Sequence, residues 1–249
     1  KLGHFLPHQR LRPRALYTSP NGLFICKKGK IGIRQARGQR PRQCFLILCA
    51  GCVISLLMKI ILKIGTNVLV NNKNCLDLVL MQNLVQEISR VYNQNHQIII
   101  ITSGAVATGR EMAQSNQLFR SALAALGQAK LIKYYHDFFS QQGIQIAQIL
   151  LSANSFKNRP RFNLLKETLL QLASNRIIPI INENDTTVLK DTFGDNDFLA
   201  AIIAVLVDAQ KLVFLTDLDG LYSSDPKIDK NARIIQEVKS VDLEIQRMC

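Results

Sequence analysis

The first 57 residues contain no aspartate or glutamate, against 11 lysines and arginines. That lack accounts for nearly all of the +13 formal charge, because residues 58–249 carry 20 basic and 18 acidic side chains. A nearly neutral main segment has no field to draw in a polyanion, so no nucleic acid partner is expected for residues 58–249. A disulfide framework is lacking as well. Cys26, Cys44, Cys49 and Cys52 fall in the acid-free segment, and only Cys75 and Cys249 lie beyond it. Cys49 and Cys52 form a CxxC with no second ligand pair, which argues against a metal or redox role. A reducing compartment suits the rest, and a cytoplasmic location is expected. The apolar run Phe45–Met58 is shorter than the ~20 residues of a membrane span. It has the length of a signal-peptide core, but it starts more than forty residues in and leads to no clear cleavage site. No membrane partner is expected.

What is present divides at Met58. Residues 1–44 mix Pro, Gly, Arg and Lys without a helical or strand period. Residues 1–57 therefore read as a basic leader outside the native fold, with Met58 as the natural start. From Met58 the pattern turns regular. Lys59–Ile64, Gln97–Thr102, Ile144–Leu150, Arg176–Ile181 and Lys211–Thr216 read as short apolar strands. Between them, residues 74–95, 118–142, 161–174 and 197–209 read as helices, the second ended by Gly143. Strands this apolar are buried on both faces. Their alternation with helices predicts an α/β fold, a mainly parallel open sheet sandwiched between helix layers. In such sheets a site lies beyond the carboxyl ends of the strands.

Those ends are polar. The first strand runs into Lys63, Gly65 and Thr66, where a lysine beside a glycine turn suits a phosphate. An ordinary turn with a solvated lysine reads equally well from these residues alone. The next strand runs into Thr102-Ser103-Gly104 and a helix start, whose free N–H groups suit a carboxylate or phosphate. A plain helix cap is the alternative. Two acid- and amide-rich clusters follow, Asn182–Thr186 and Gly194–Asp197. They suit either a hard cation or the fixing of an amino group, and Asp197 is also placed to cap a helix. The last strand runs into Thr216 and Asp217.

Several familiar devices are absent. No GxxxxGK[ST] loop occurs. Ser103 has no GxSxG around it, and neither His96 nor His136 stands at a strand end, so acyl-enzyme chemistry is discounted. Asp217-Leu218-Asp219-Gly220 lacks the spacing and closing glutamate of a calcium loop.

Taken in order, KIGT (63–66), TSGAVATGR (102–110), ALGQ (125–128), INENDT (181–186), FGDND (193–197) and LTDLDGLYSSDP (215–226) resemble the glutamate 5-kinases of the amino acid kinase superfamily. The resemblance covers about residues 58–240, with 58–249 as an incomplete amino acid kinase domain. It implies transfer of the γ-phosphoryl of ATP, with Mg2+, to the side-chain carboxylate of L-glutamate, the first step of proline biosynthesis. It implies a homo-oligomer. By residue-wise carry-over, Lys63 is catalytic and holds the transferring phosphoryl, and Gly65 and Thr66 form the phosphate-side turn. Ser103, Asp185 and Asn196 bind glutamate, Asp185 also orients lysine as a catalytic residue, and Asp195 lies beside the amino-acid site. Thr216 and Asp217 meet the nucleotide. No residue is assigned as a metal ligand. The family continues with a glycine-rich loop carrying a second phosphate lysine and, in many members, a PUA domain. The chain stops at Cys249 before these, so its C-terminal part is expected to be missing and its catalysis impaired.

Three other readings compete: a related kinase for another amino acid or N-acetylglutamate, a non-catalytic glutamate-binding module on the same fold, and a nucleic-acid or membrane-surface protein acting through the leader. NEND and FGDND argue against the first.

Overall fold

The computed structural model of the chain describes residues 23–27, 57–71, 75–113, 117–152, 154–186, 196–217, 220–226, 228–238 and 240. Six strands make one sheet: β1 (Leu23–Lys27), β2 (Lys59–Ile64), β3 (Gln97–Thr102), β4 (Gln145–Leu151), β5 (Ile177–Glu183) and β6 (Lys211–Thr216). Their order is β1-β6-β2-β3-β5-β4, and every neighbouring pair is parallel. The helices are α1 (Thr66–Leu69), α2 (Leu78–Tyr92), α3 (Ala105–Met112), α4 (Arg120–Ser140), α5 (Asn154–Lys157), α6 (Arg159–Ser174) and α7 (Asn196–Leu206). A two-stranded antiparallel ribbon, β7 (Leu221–Tyr222) with β8 (Ile234–Ile235), follows β6.

Four consecutive isoleucines in β3 show why the sheet needs helices on both sides. Successive side chains of a strand point to opposite faces. Ile98 and Ile100 join an apolar cluster with Met81, Leu84 and Ile88 of α2 and Leu131, Tyr135 and Phe139 of α4. Ile99 and Ile101 join a second cluster with Leu165 and Leu169 of α6 and Leu199 and Ile203 of α7. All four isoleucines are buried, each burial contributing roughly 1.5–3 kcal/mol. The expected parallel sheet between helix layers is the architecture formed.

β2, β3 and β6 have the bounds read from the sequence. β5 runs two residues further than expected, because the polar Asn182 and Glu183 still pair with Leu150 and Leu151 of β4. β4 is not buried on both faces: it is the sheet edge, and Gln145, Gln148 and Leu150 are exposed. α2 begins at Leu78 because Asp77 caps it, its carboxylate accepting from Leu80 N at 3.0 Å. Among the described residues no helix is long and apolar enough to cross a membrane.

β1 lies within residues 1–57, and its backbone pairs with β6 from Leu23↔Leu212 to Lys27↔Thr216. Apart from β1 and Leu57, that segment lies outside the described residues. We propose that residues 1–57 are dispensable, since β1 pairs only with β6 and takes no part in the pairings among β2 to β6. A chain starting at Met58 should match the longer one in helical circular dichroism and melting temperature. Loss of soluble folded protein would show that the β1 edge is needed.

Two glycines let α3 lie directly on α4. A Cβ on Gly109 would stand 1.9 Å from the Leu123 carbonyl oxygen, and one on Gly127 would stand 1.9 Å from that of Ala105. Neither obstacle is a flexible side chain, so the backbones must part to admit a methyl group. Gly127→Ala should lower unfolding free energy by roughly 1–3 kcal/mol, as overpacking does. An unchanged urea midpoint would show that α3 yields without cost.

Candidate active site

The carboxyl ends of β2 and β6 adjoin. Gly65 N donates to Leu215 O at 3.1 Å, and Asn67 Nδ2 donates to Asp217 Oδ2 at 3.2 Å. This brings Gly65 and Thr66 beside Thr216 and Asp217, the residues expected at the phosphates and nucleotide. Lys63 shares the parity of Ile61 in β2, so its side chain enters the α6–α7 side of the sheet. There Nζ pairs with Asp197 Oδ1 at 2.6 Å. The lysine side chain is only 11% exposed, and a charge so enclosed requires a partner.

The end of β3 turns through Gly104, whose φ of 103° is a left-handed value that a side chain would strain. The turn aims the chain into α3, whose first N–H groups have no intrahelical acceptor. Asn196, at the start of α7, fastens this turn. Its Nδ2 lies 2.9 Å from Thr102 O, 2.8 Å from Ser103 Oγ and 3.2 Å from Asn182 Oδ1. Asn182 in turn donates to Gln128 Oε1 of α4 at 2.8 Å. Thr102 Oγ1 meets the buried Tyr135 hydroxyl of α4 at 2.9 Å. The carboxyl ends of β3 and β5 and the start of α7 are thus joined by one polar network braced on α4.

The network borders a cavity of about 300 Å³. Thr66, Ser103 and the first turn of α3 line it, as do Asn182, Glu183, Asp185 and Asn196, with Arg110 and Arg120. Its polarity is divided. Hydroxyl and N–H donors stand at Ser103 and α3, and carboxylates stand at Glu183 and Asp185. Arg120 Nη2 faces Asp185 Oδ1 at 3.9 Å. Burial pushes the Glu183 carboxyl above its ordinary range, the Asp185 carboxylate raises it further, and the Arg120 guanidinium opposes both. Burial likewise raises Asp185, with Arg120 opposing.

Ser103, Asp185 and Asn196 therefore share one cavity. The acid that meets Lys63 is Asp197, while Asp185 faces Arg120. Asp195 lies outside the described residues. Asn182, Gln128, Glu183 and Arg120 are additions from the structure. Asn182, Glu183 and Gln128 sit inside the strings INENDT and ALGQ, which was the available signal. Arg120 stands in no motif, and only the approach of α4 to β5 brings it to the cavity. Among the described residues no group of three or more His, Cys, Asp or Glu is placed to hold a metal ion.

The sequence pattern of the amino acid kinase family matches residues 58–246. The chain belongs to the amino acid kinase family. Its relatives include the glutamate 5-kinase of Caldanaerobacter subterraneus subsp. tengcongensis, 40% identical over 188 residues, which are 73% of this chain and 50% of that protein. The glutamate 5-kinase of Geobacter metallireducens is 39% identical over 201 residues, 78% of this chain and 54% of the relative. The chain spans about half the length of the curated relatives it matches. A solved isopentenyl phosphate kinase substrate complex shares the fold, with a TM-score of 0.56 at 18% identity, covering 77% of this chain and 86% of that one. In this family member, the Asn196 amide is the joint between β3, β5 and α7. Asn196→Ala should cost roughly 1–3 kcal/mol of stability, the penalty of stranding buried acceptors. A chemical-denaturation midpoint equal to that of the parent would show that the network is replaceable.

Proposed function

We propose that the chain carries the acceptor site and part of the phosphate site of an ATP-dependent, cytoplasmic glutamate 5-kinase, which makes γ-glutamyl phosphate for proline biosynthesis. The divided polarity of the cavity is the observation that supports this reading best. L-Glutamate has two carboxylates and one ammonium, so it needs donors and acceptors in one enclosure. Ser103 and the α3 N–H groups supply donors, and Glu183 and Asp185 supply acceptors. The 40% identity to a glutamate 5-kinase over 188 residues supports the choice of amino acid.

The chemistry asks little proton transfer of the protein. A glutamate side chain has a pKa near 4.3 and is already ionised at neutral pH. One of its oxygens forms the new bond to the γ-phosphorus, the bond from that phosphorus to the bridging β–γ oxygen breaks, and ADP leaves with the electron pair. No proton moves, so no base is required. Bringing two anions together requires fixed positive charge and positioning. Lys63 provides the charge, held by Asp197, and Gly65, Thr66, Thr216 and Asp217 border the phosphates and nucleotide. Mg2+ usually keeps its water and binds through phosphate oxygens and one or two carboxylates. Mg2+ carried by ATP would add charge neutralisation at the phosphates.

Two measurements test the reading. Calorimetry on the 249-residue chain should detect L-glutamate, and trapping with hydroxylamine in the presence of ATP and Mg2+ should detect the acyl phosphate. Lys63→Met should reduce hydroxamate at least about 10²-fold, by analogy with loss of one preorganised donor. Glutamate binding without any hydroxamate would instead support a binding module, and failure to bind glutamate would refute the assignment.

The raised carboxyls add a pH signature. A bound ammonium favours the ionised forms of Glu183 and Asp185, so binding releases protons from them. Affinity is then full above their raised pKa values and weakens as pH falls through them toward the ordinary values of 4.5 and 3.8. Above about pH 5.5 glutamate's own side chain stays ionised, so any decline in that range reports on the protein. Asp185→Asn should weaken binding and flatten the decline. A decline of equal steepness in that variant would remove Asp185 from the ammonium site.

A further inference from the structure

Arg120 occupies the first position of α4, where the helix dipole disfavours a cation and no acidic residue of the first turn offsets it. Arg110, the other guanidinium at the cavity, needs no such explanation, since it sits in the last turn of α3, where the dipole favours it. The ion pair of Arg120 with Asp185 does not explain the placement either. At 3.9 Å, with the arginine side chain 76% exposed, it is long and open to solvent, and pairs of that kind add little stability. A cation kept at a locally unfavourable position, at the rim of a cavity, points to a ligand.

The partner of Arg120 faces the same cavity. Beside Asp185, Glu183 has a buried Oε1 with no hydrogen-bond partner among the described residues. A carboxylate acceptor left unmatched is costly. The rim therefore presents one exchangeable cation and two carboxylates, one of which pairs loosely with that cation. On the other side Asn196 holds Ser103, and the adjacent Asp197 holds Lys63.

Building on the glutamate reading, we infer that Arg120 is the residue that selects a free α-carboxylate, releasing Asp185 to the substrate's α-ammonium. The zwitterionic end of an α-amino acid inserts between Arg120 and the Asp185–Glu183 pair. One long ion pair is replaced by two close ones, and Glu183 gains a donor. The side-chain carboxylate is thereby directed to the Ser103–Asn196 side, next to the Asp197–Lys63 pair. Substrates lacking the α-carboxylate keep the Arg120–Asp185 pair closed and are held poorly.

The test compares L-glutamate with its α-carboxamide analogue, by calorimetry on the 249-residue chain. The parent should prefer L-glutamate by about 10–100-fold, the range for one charge-assisted hydrogen bond. Arg120→Met should lose that preference by weakening L-glutamate, while the analogue, no longer excluded by a closed Arg120–Asp185 pair, binds at least as tightly as it does to the parent, and Arg120→Lys should recover part of the preference. Equal weakening of both ligands in Arg120→Met, or no preference in the parent, would overturn the role of Arg120 and leave the glutamate reading standing. Binding of neither ligand by the parent would overturn both. Because Arg120 is largely exposed, melting temperatures of the variants should match the parent, which separates ligand selection from a folding effect.

Discussion

The amide nitrogen of Asn196 lies within hydrogen-bonding reach of the Thr102 carbonyl, the Ser103 hydroxyl and the Asn182 amide oxygen. Thr102 ends β3, Asn182 is in β5, and Asn196 starts α7, so one side chain ties the start of α7 to the ends of two strands already paired in the sheet. The surrounding groups are braced in turn by Gln128 and Tyr135 of α4. A partly buried network of this sort is worth having only when its members are matched, because each orphaned group in a low dielectric is expensive. Matched, it holds the Ser103 turn and the α3 N-terminus as a preformed donor surface. Such a surface needs no reorganisation when an anion arrives, which is the source of its electrostatic value.

Close helix packing serves the same end. α3 is only eight residues long, too short to be stable alone in water. It is held by contact with α4 through Gly109 and Gly127, where a methyl group would collide with backbone carbonyls. The strings TSGAVATGR and ALGQ, distant in sequence, therefore share one structural task. The first supplies the turn and the helix, and the second supplies the glycine that receives it and the glutamine that braces Asn182.

Much of this was legible in the residues, and the limits of legibility have physical causes. The isoleucine-rich β2 and β3 and the apolar β6 declare their bounds, because strands covered by helices carry their polar residues at or near their ends. β5 was read short because its last two residues are polar, yet pairing with β4 keeps them in the sheet. β4 was read as buried because its composition is apolar enough, although being at an edge depends on strand order, which no local pattern encodes. β1 was hidden among basic residues without period. Ser103 and Asp185 could be singled out by their positions after strands and Asn196 by the string FGDND, whereas Arg120 needed the tertiary approach of α4. Asp197 had two open readings, cap or functional acid, and its first-turn position on α7 proved compatible with holding Lys63.

Asn196 and Asp197 are neighbours in the first turn of α7, and their side chains serve different parts of the site. Asn196 reaches the Ser103 turn, where the acceptor is proposed to lie, and Asp197 reaches Lys63, where the phosphoryl group is proposed to lie. The two binding regions draw on β3, β5, α3 and α4 on one side and β2 and β6 on the other, and they meet at Thr66, which lines the cavity. Their relative position is set by the β2–β3 pairing, which aligns Ile64 with Thr102, and by where α7 begins. α7 is anchored by Leu199, Ala200, Ile203 and Ala204, all buried against the sheet, so its first turn has little freedom to drift. In-line transfer between two anions depends on sub-ångström to ångström placement of the reacting atoms. A dipeptide that addresses both sites from one rigid helix start couples their geometry more tightly than two independent loops could.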